Sequence, residues 1–319
     1  MTVAEPIRGV STWRERHLLD VDGLARDEIE RILELAVEMR RARAERHASD
    51  LLAAETIGLA FYEASTRTRM SFELAARALG ATVADLAIAG SSVAKGESLI
   101  DTLRTLERTG VGTVVLRHAA AGAPYLAARR TGLRIVNAGD GAHAHPTQAL
   151  ADGLTLREAL GTLDGRLIVI VGDVARSRVA RSNLHALRAL GAQVRVAGPP
   201  AFVAGFGAWP GVEVATSLES ALAGADAVMA LRIQLERLGA GSGDDAIESA
   251  ATYAARWQLT TDRLRRLAPG AWLLHPGPTN EGVELSAEAA ASELSLIGRQ
   301  VENGVPVRMA ILALLCGVA

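Results

Sequence analysis

Lysine is almost missing from this chain. The 34 lysines and arginines include a single lysine, Lys95. Biased codon usage puts arginine wherever a surface charge suffices. The survivor therefore marks either chance or a place that needs a compact ammonium with mobile donors, which a planar guanidinium does not replace. Cysteine is as scarce: Cys316 alone excludes an intrachain disulfide and fits a reducing, cytoplasmic compartment. Lying in the apolar stretch 309–316, it reads as buried filler rather than as a nucleophile. No apolar run reaches the roughly 18 residues that span a bilayer, and residues 1–9 lack the apolar core of a signal peptide. A net charge of −2 over 319 residues offers no excess to attract nucleic acid or an anionic membrane surface.

Several chemistries lack their signatures too. There is no Gly-x-x-x-x-Gly-Lys-Ser/Thr loop for nucleotide hydrolysis, and no Gly-x-Gly-x-x-Gly turn for a dinucleotide, although Gly172-Asp173 follows a strand. His143 and His145 are close in sequence but have no clear third ligand, so no metal site is expected. No serine–histidine–acid set with an elbow motif stands out. There is no short repeat and no low-complexity linker; residues 239–245 (Gly-Ala-Gly-Ser-Gly-Asp-Asp) read as a mobile surface loop, of the kind that in such folds can close over ligands.

What is present alternates. The length suits two domains, and from residue 56 apolar strands and amphipathic helices take turns, which predicts α/β with parallel sheets. The first half reads as strands at 56–62, 82–85, 113–117 and 134–137, with helices at 27–40, 70–79, 99–109 and 124–130, the last with Pro124 at its first position. The second half reads as strands at 167–171, 193–197, 212–215, 227–231 and 271–274, with helices at 147–160, 177–190 and 218–223. A final helical pair, 293–303 and 306–316, is expected to break at Gly304 and Pro306. Two doubly wound domains with a cleft between them follow from this pattern.

One stretch organises the rest. Ser65-Thr66-Arg67-Thr68-Arg69 follows the first strand and precedes a helix. It sets hydroxyls and two guanidinia where a helix presents unpaired N–H groups and the positive end of its dipole, an arrangement suited to a phosphate or carboxylate. An ordinary cap with solvated arginines is the competing reading, yet capping needs one hydroxyl and no arginine pair. In doubly wound sheets ligands gather beyond the carboxyl ends of strands, and those ends are polar here nearly throughout. Lys95 lies in the loop after the second strand, Arg117-His118 closes the third, and the fourth runs into His143-Ala144-His145-Pro146-Thr147-Gln148. In the second half the ends carry Arg176, Ser177 and Arg178, then Arg232-Ile233-Gln234, then His275-Pro276-Gly277-Pro278. Many arginines with one lysine, a histidine and a glutamine, and no obvious nucleophile, suit transfer between two bound anions by placement and charge stabilisation.

In this order, Ser-Thr-Arg-Thr-Arg, Lys95-Gly96-Glu97, Arg117-His118, His145-Pro146-Thr147-Gln148, Arg232-Ile233-Gln234 and His275-Pro276-Gly277-Pro278 resemble the carbamoyltransferase family over nearly the whole chain, and its aspartate-specific branch in particular. The resemblance implies a carbamoyl-phosphate domain at 1–146, joined by returning helices at 293–319, and an aspartate domain at 147–292. It implies that Ser65, Thr66, Arg67 and Thr68 bind the phosphate of carbamoyl phosphate, and that Thr68, Arg117 and His145 contact its carbonyl oxygen. Gln148 would accept from the carbamoyl NH₂, and the backbone at Pro276, Gly277 and Pro278 would face the carbamoyl and amino groups. Arg178 and Arg232 would hold the aspartate carboxylates, assisted by Gln234. Ser91 and Lys95 would reach into a neighbouring subunit, which implies a homotrimer with shared active sites and gives the sole lysine a role. No metal or organic cofactor is implied. Regulatory chains or a dihydroorotase as further partners stay open.

Ala64, where a proline often stands, Arg176, often histidine or lysine, and Gly277, often larger, depart from the common pattern. His118 and His275 read as structural, and Glu63 as pairing with an arginine. Ornithine as acceptor would want an acidic partner and a cysteine-bearing turn in place of 275–278, neither of which occurs. A non-catalytic homologue that binds carbamoyl phosphate would be expected to lose one of Thr68, Arg117, His145 or Gln148, and a nicotinamide-dependent oxidoreductase lacks its glycine fingerprint.

Overall fold

The computed structural model describes residues 15–45, 49–88, 92–233 and 249–318. The chain packs as two units, Met1–Thr147 with Gly304–Ala319, and Gln148–Asn303. In the first, β1 (Thr56–Phe61), β2 (Thr82–Leu86), β3 (Thr113–His118) and β4 (Arg134–Asp140) form a parallel sheet in the order β2-β1-β3-β4. The helices α1 (Arg26–Ala44), α2 (Thr66–Ala78), α3 (Leu99–Arg108) and α4 (Ala123–Arg130) interleave with these strands. The outer edge of β4 is covered by the segment around Leu18, whose N–H donates to the Ile135 carbonyl at 2.9 Å.

The helix α5 (Pro146–Leu160) leads into the second unit. There β5 (Leu167–Val171), β6 (Gln193–Ala197), β7 (Val212–Ala215), β8 (Ala227–Ala230) and β9 (Trp272–Leu274) form a second parallel sheet, ordered β7-β6-β5-β8-β9. Its helices are α6 (Arg178–Ala189), α7 (Leu218–Leu222), α8 (Ala250–Trp257), α9 (Thr261–Leu267) and α10 (Ala287–Ala290). Ile168, Val169, Ile170 and Val171 are all buried, as a strand covered on both faces requires. Each such side chain contributes roughly 1.5–3 kcal/mol.

Four readings of the sequence are corrected. First, α2 starts at Thr66 rather than Met70, with Ser65 as its N-cap residue, so Arg67, Thr68 and Arg69 form its first turn. Arginine and methionine sustain a helix well, and polarity alone concealed its start.

Second, the expected terminal pair is one helix, α11 (Ile297–Leu315), with Pro306 inside it. The Arg308 guanidinium donates to the Gly304 carbonyl at 2.8 Å and lies 5.1 Å over the Phe72 ring, which stitches the turn around the proline. Residues 294–296 are instead extended: Leu273 and Leu296 N–H groups donate at 2.8 Å to the Leu294 and Leu273 carbonyls. The stretch 297–303 packs in the second unit, where Asn303 bonds to Thr155 and Glu158 of α5. Just past the end of α11, Cys316 Sγ lies 3.7 Å from Thr113 Oγ1 of β3.

Third, α8, α9 and α10 were not anticipated, being short elements of 8, 7 and 4 residues. Fourth, Pro124 is the second rather than the first residue of α4. Ser91, Gln234 and the 239–245 loop lie outside the described residues.

Candidate active site

Each sheet has one place where the strand order reverses. In the first it falls between β1 and β3, in the second between β5 and β8. Chain leaving the carboxyl ends of two such strands diverges to opposite faces of the sheet and opens a crevice, the usual ligand position in this architecture. Ser65, Thr66, Arg67 and Thr68 follow β1 and Arg117 lies at the end of β3 at the first place, and Arg178 and Arg232 follow β5 and β8 at the second; Lys95, His145 and Gly277 follow β2, β4 and β9 instead.

In the first unit β1 empties into Ser65 and the first turn of α2, and Arg117 lies beside Phe61 in the register of β1 with β3. The Arg117 guanidinium donates to Ser65 Oγ at 3.3 Å and sits 3.6 Å from Glu63 Oε2. Ser65 and Arg117 are thus brought together, and Glu63 pairs with an arginine as expected. Ser65 Oγ makes no capping bond to its own helix, which leaves the helix N-terminus available to an anion. Thr68 is buried; Arg67 is exposed, as is Arg69, which pairs with Asp85.

His145, 4 % exposed, ends a loop built around Asp140. That carboxylate accepts from the N–H groups of Gly122 at 2.7 Å and Ala144 at 3.1 Å, and from the Asn137 amide at 2.8 Å. His118 accepts from the Ala120 N–H at 2.9 Å and packs 5.1 Å from the Tyr62 ring, a structural role. Burial raises the Tyr62 phenol pKa; the Thr102 hydroxyl opposes that shift and Glu97 adds to it. Lys95 is exposed, at the end of a short 3-10 turn, Ser92–Lys95.

In the second unit β5 runs into Gly172, whose φ of +128° and close approach to Leu231 (3.1 Å from where a Cβ would sit) disfavour a side chain. Arg176 pairs with Asp173 at 3.2 Å and Arg181 donates to the Ala175 carbonyl at 3.2 Å. Arg178 takes the first position of α6, beyond the Ser177 cap. Arg232 follows β8 and donates to Asn280 Oδ1 at 3.4 Å. The turn after β9 is held by His275, whose Nδ1 accepts from the Gly277 N–H at 2.8 Å and whose Nε2 lies 3.2 Å from Glu284. Gly277 has φ +68°, where glycine is at ease.

Sequence reasoning missed Asp152, which accepts from Gln148, Asn183 and Gln300, and Glu284, which with Gln300 bonds to the 275–280 turn. Asp152, Asn183, Gln300 and Glu284 are all buried; for the first three the available signal was a polar residue on a helix, whereas Glu284 lies in a turn that offered none. Among the described residues no cluster of three or more His, Cys, Asp or Glu side chains could hold a metal ion.

Comparison with known proteins gives the family. The carbamoyl-P binding domain of aspartate/ornithine carbamoyltransferases matches residues 16–158, and the Asp/Orn binding domain of that family matches residues 164–315. The aspartate carbamoyltransferase catalytic subunit of Heliobacterium modesticaldum is 47 % identical over 306 residues, covering 96 % of this chain and 97 % of the relative. That of a Roseiflexus species is 46 % identical over 310 residues, covering 95 % and 96 %. Among solved structures, Trypanosoma cruzi aspartate transcarbamoylase with N-(phosphonacetyl)-L-aspartic acid superposes with TM-score 0.83 at 30 % identity, covering 95 % and 97 %. The same enzyme with carbamoyl phosphate and aspartate gives 0.82 at 29 %, covering 95 % and 96 %. With its two domain matches, its two parallel sheets and its near-full-length relatives, the chain belongs to the aspartate/ornithine carbamoyltransferase family, among the aspartate carbamoyltransferase catalytic chains.

Proposed function

We propose that the protein transfers the carbamoyl group of carbamoyl phosphate to the amine of L-aspartate, giving N-carbamoyl-L-aspartate and phosphate, a step of pyrimidine (UMP) biosynthesis in the cytoplasm. The observation that carries the reading is the placement of anion-binding groups at both strand-order reversals, Ser65–Arg117 in one unit and Arg178 with Arg232 in the other. The unprotonated aspartate amine attacks the carbonyl carbon, a C–N bond forms, and a tetrahedral oxyanion appears. The C–O bond to phosphate then breaks, and the proton lost by the amine leaves with the phosphate.

Thr68, Arg117 and His145 stabilise the oxyanion. Ser65, Thr66, Arg67 and the helix N-terminus hold the phosphate as its charge grows. Arg178 and Arg232 grip the two carboxylates of the acceptor, with Gln234 assisting. Gln148 and the backbone at Gly277 and Pro278 accept from the carbamoyl NH₂. Every role is binding, orientation or charge stabilisation, and no covalent intermediate on the protein is required.

Purified protein given carbamoyl phosphate is expected to form N-carbamoyl-L-aspartate with L-aspartate and no citrulline with L-ornithine; citrulline alone would overturn the acceptor. Lys95, exposed at the end of its turn, is assigned to a neighbour's site in a homotrimer. Lys95→Arg should then cost at least tenfold in kcat/KM with an unchanged melting temperature. Mixed Arg67→Ala and Lys95→Ala chains should regain activity that neither has alone. No recovery on mixing, in a preparation shown by mass to be mixed trimers, would place both groups in one chain's site.

A further inference from the structure

Gln148 and Asp152 stand four residues apart on α5, a helical i,i+4 pair. The Gln148 side-chain NH₂ donates to Asp152 Oδ1 at 2.8 Å. That same oxygen accepts from the Gln300 NH₂ at 2.7 Å, and Oδ2 accepts from the Asn183 NH₂ at 2.8 Å. The carboxylate is fully buried, while Gln148 is only half-buried. Beyond the carboxylate, Gln300 Oε1 accepts the His275 N–H at 2.9 Å, at the start of the turn that carries Gly277 and Pro278.

A glutamine amide has two ends of nearly equal shape, one donating and one accepting. An exposed glutamine flips freely, and only a neighbour that is strictly donor or strictly acceptor decides which end faces a ligand. Both oxygens of Asp152 accept from side-chain NH₂ groups here, as a carboxylate that only accepts does. The carboxylate therefore takes the NH₂ of Gln148 and leaves Oε1 directed away from Asp152. The same logic fixes Gln300, whose NH₂ is taken by Asp152 and whose oxygen must then face the His275 N–H.

We infer that Asp152 is the positioning residue that makes the second unit recognise an amino group, by orienting the Gln148 amide oxygen outward and, through Gln300, anchoring the 275–278 turn. Asp152 touches no substrate and acts through Gln148. This inference rests on the proposed role of Gln148 as acceptor from the carbamoyl NH₂. Its consequence is selectivity. With Oε1 outward, a carbamoyl NH₂ finds an acceptor, whereas the methyl group of acetyl phosphate, similar in shape, leaves that oxygen unpaired.

The test compares KM for carbamoyl phosphate with the inhibition constants of acetyl phosphate and of inorganic phosphate. Gln148→Ala sets the scale: it should reduce the preference for carbamoyl over acetyl phosphate roughly ten- to hundredfold. Asp152→Ala should lose the same preference with phosphate inhibition changed less than about threefold, and should add little in a Gln148→Ala background. Asp152→Asn, which keeps an oxygen facing Gln148 but sets its NH₂ against the NH₂ of Asn183, should retain most of the preference while lowering the melting temperature.

An unchanged preference in Gln148→Ala would overturn the role of Gln148 itself. A lost preference in Gln148→Ala with a normal one in Asp152→Ala would overturn only the inference about Asp152, as would equal weakening of all three ligands. Should Asp152→Ala not fold, the native protein decides. The Gln148 side-chain amide protons, assigned by their absence in Gln148→Ala, should exchange slowly with water both with and without carbamoyl phosphate. Exchange as fast as that of exposed glutamines would overturn the inference.

Discussion

Ser65 shows how a residue's partner separates stability from function. It stands at the N-cap of α2, yet its hydroxyl receives the Arg117 guanidinium rather than capping the helix. Loss of a working cap costs about 1 kcal/mol; loss of this hydroxyl should not. Ser65→Ala is therefore expected to leave the melting temperature within about 2 °C while raising KM for carbamoyl phosphate about tenfold. A fall in melting temperature with unchanged kinetics would show that the serine serves only the helix. Arg117, in contrast, carries charge toward the reacting oxygen, and Arg117→Ala should lower kcat by roughly a hundredfold or more.

At the scale of elements, α11 is the instructive case. Glycine and proline two residues apart signal a helix end by propensity alone, and the chain nevertheless continues through them. A Cβ on Gly304 would lie 2.5 Å from Arg308 Nη1, a buried group that bonds to the Gly304 carbonyl. The glycine thus makes room for the arginine that holds the turn. Alanine at 304 gains about 1 kcal/mol of helix propensity but forces out a buried, bonded guanidinium at a cost of roughly 1–3 kcal/mol. The balance predicts a net loss of about 1 kcal/mol for Gly304→Ala in urea unfolding. In an Arg308→Leu background only propensity remains, so the same substitution should be neutral or stabilising there; an equal loss in both backgrounds would exclude the coupling.

At the scale of the whole molecule, all three tyrosines of the chain are held above the ordinary phenol range near 10. Burial is the largest cause in each. Nearby carboxylates add to it, Glu97 for Tyr62 and Asp20, Asp22 and Asp140 for Tyr125, which is pushed up to about 12; Glu284 and Asp173 act on Tyr253. A folded state with raised phenol pKa values binds protons more tightly than the unfolded chain above pH 10. Its stability therefore falls as pH rises through and beyond that value, and the contribution is fully present below it. Titration followed by phenolate absorbance should show less ionisation at pH 10 than the half expected of free phenols, then a steep rise together with loss of native circular dichroism. Half-ionisation of all three tyrosines at pH 10 in the folded protein would contradict the upward shifts.

The order of strands and helices, the anion-binding turn after β1 and the polar ends of the strands were legible in the sequence, because side-chain period and turn chemistry are local properties. Arg67, Arg117, Arg178 and Arg232 stood out because arginines at strand ends need no knowledge of distant chain to be noticed. Only the tertiary structure decided where the strand order reverses, which places the chain after β1 beside that leaving β3, and the chain after β5 beside that leaving β8. It alone decided that a glycine and a proline lie within α11, since the buried arginine and the ring beneath it outweigh propensity. Asp152 was illegible for the same reason: its meaning comes from Gln148, Asn183 and Gln300, the last two lying 31 and 148 residues away along the chain.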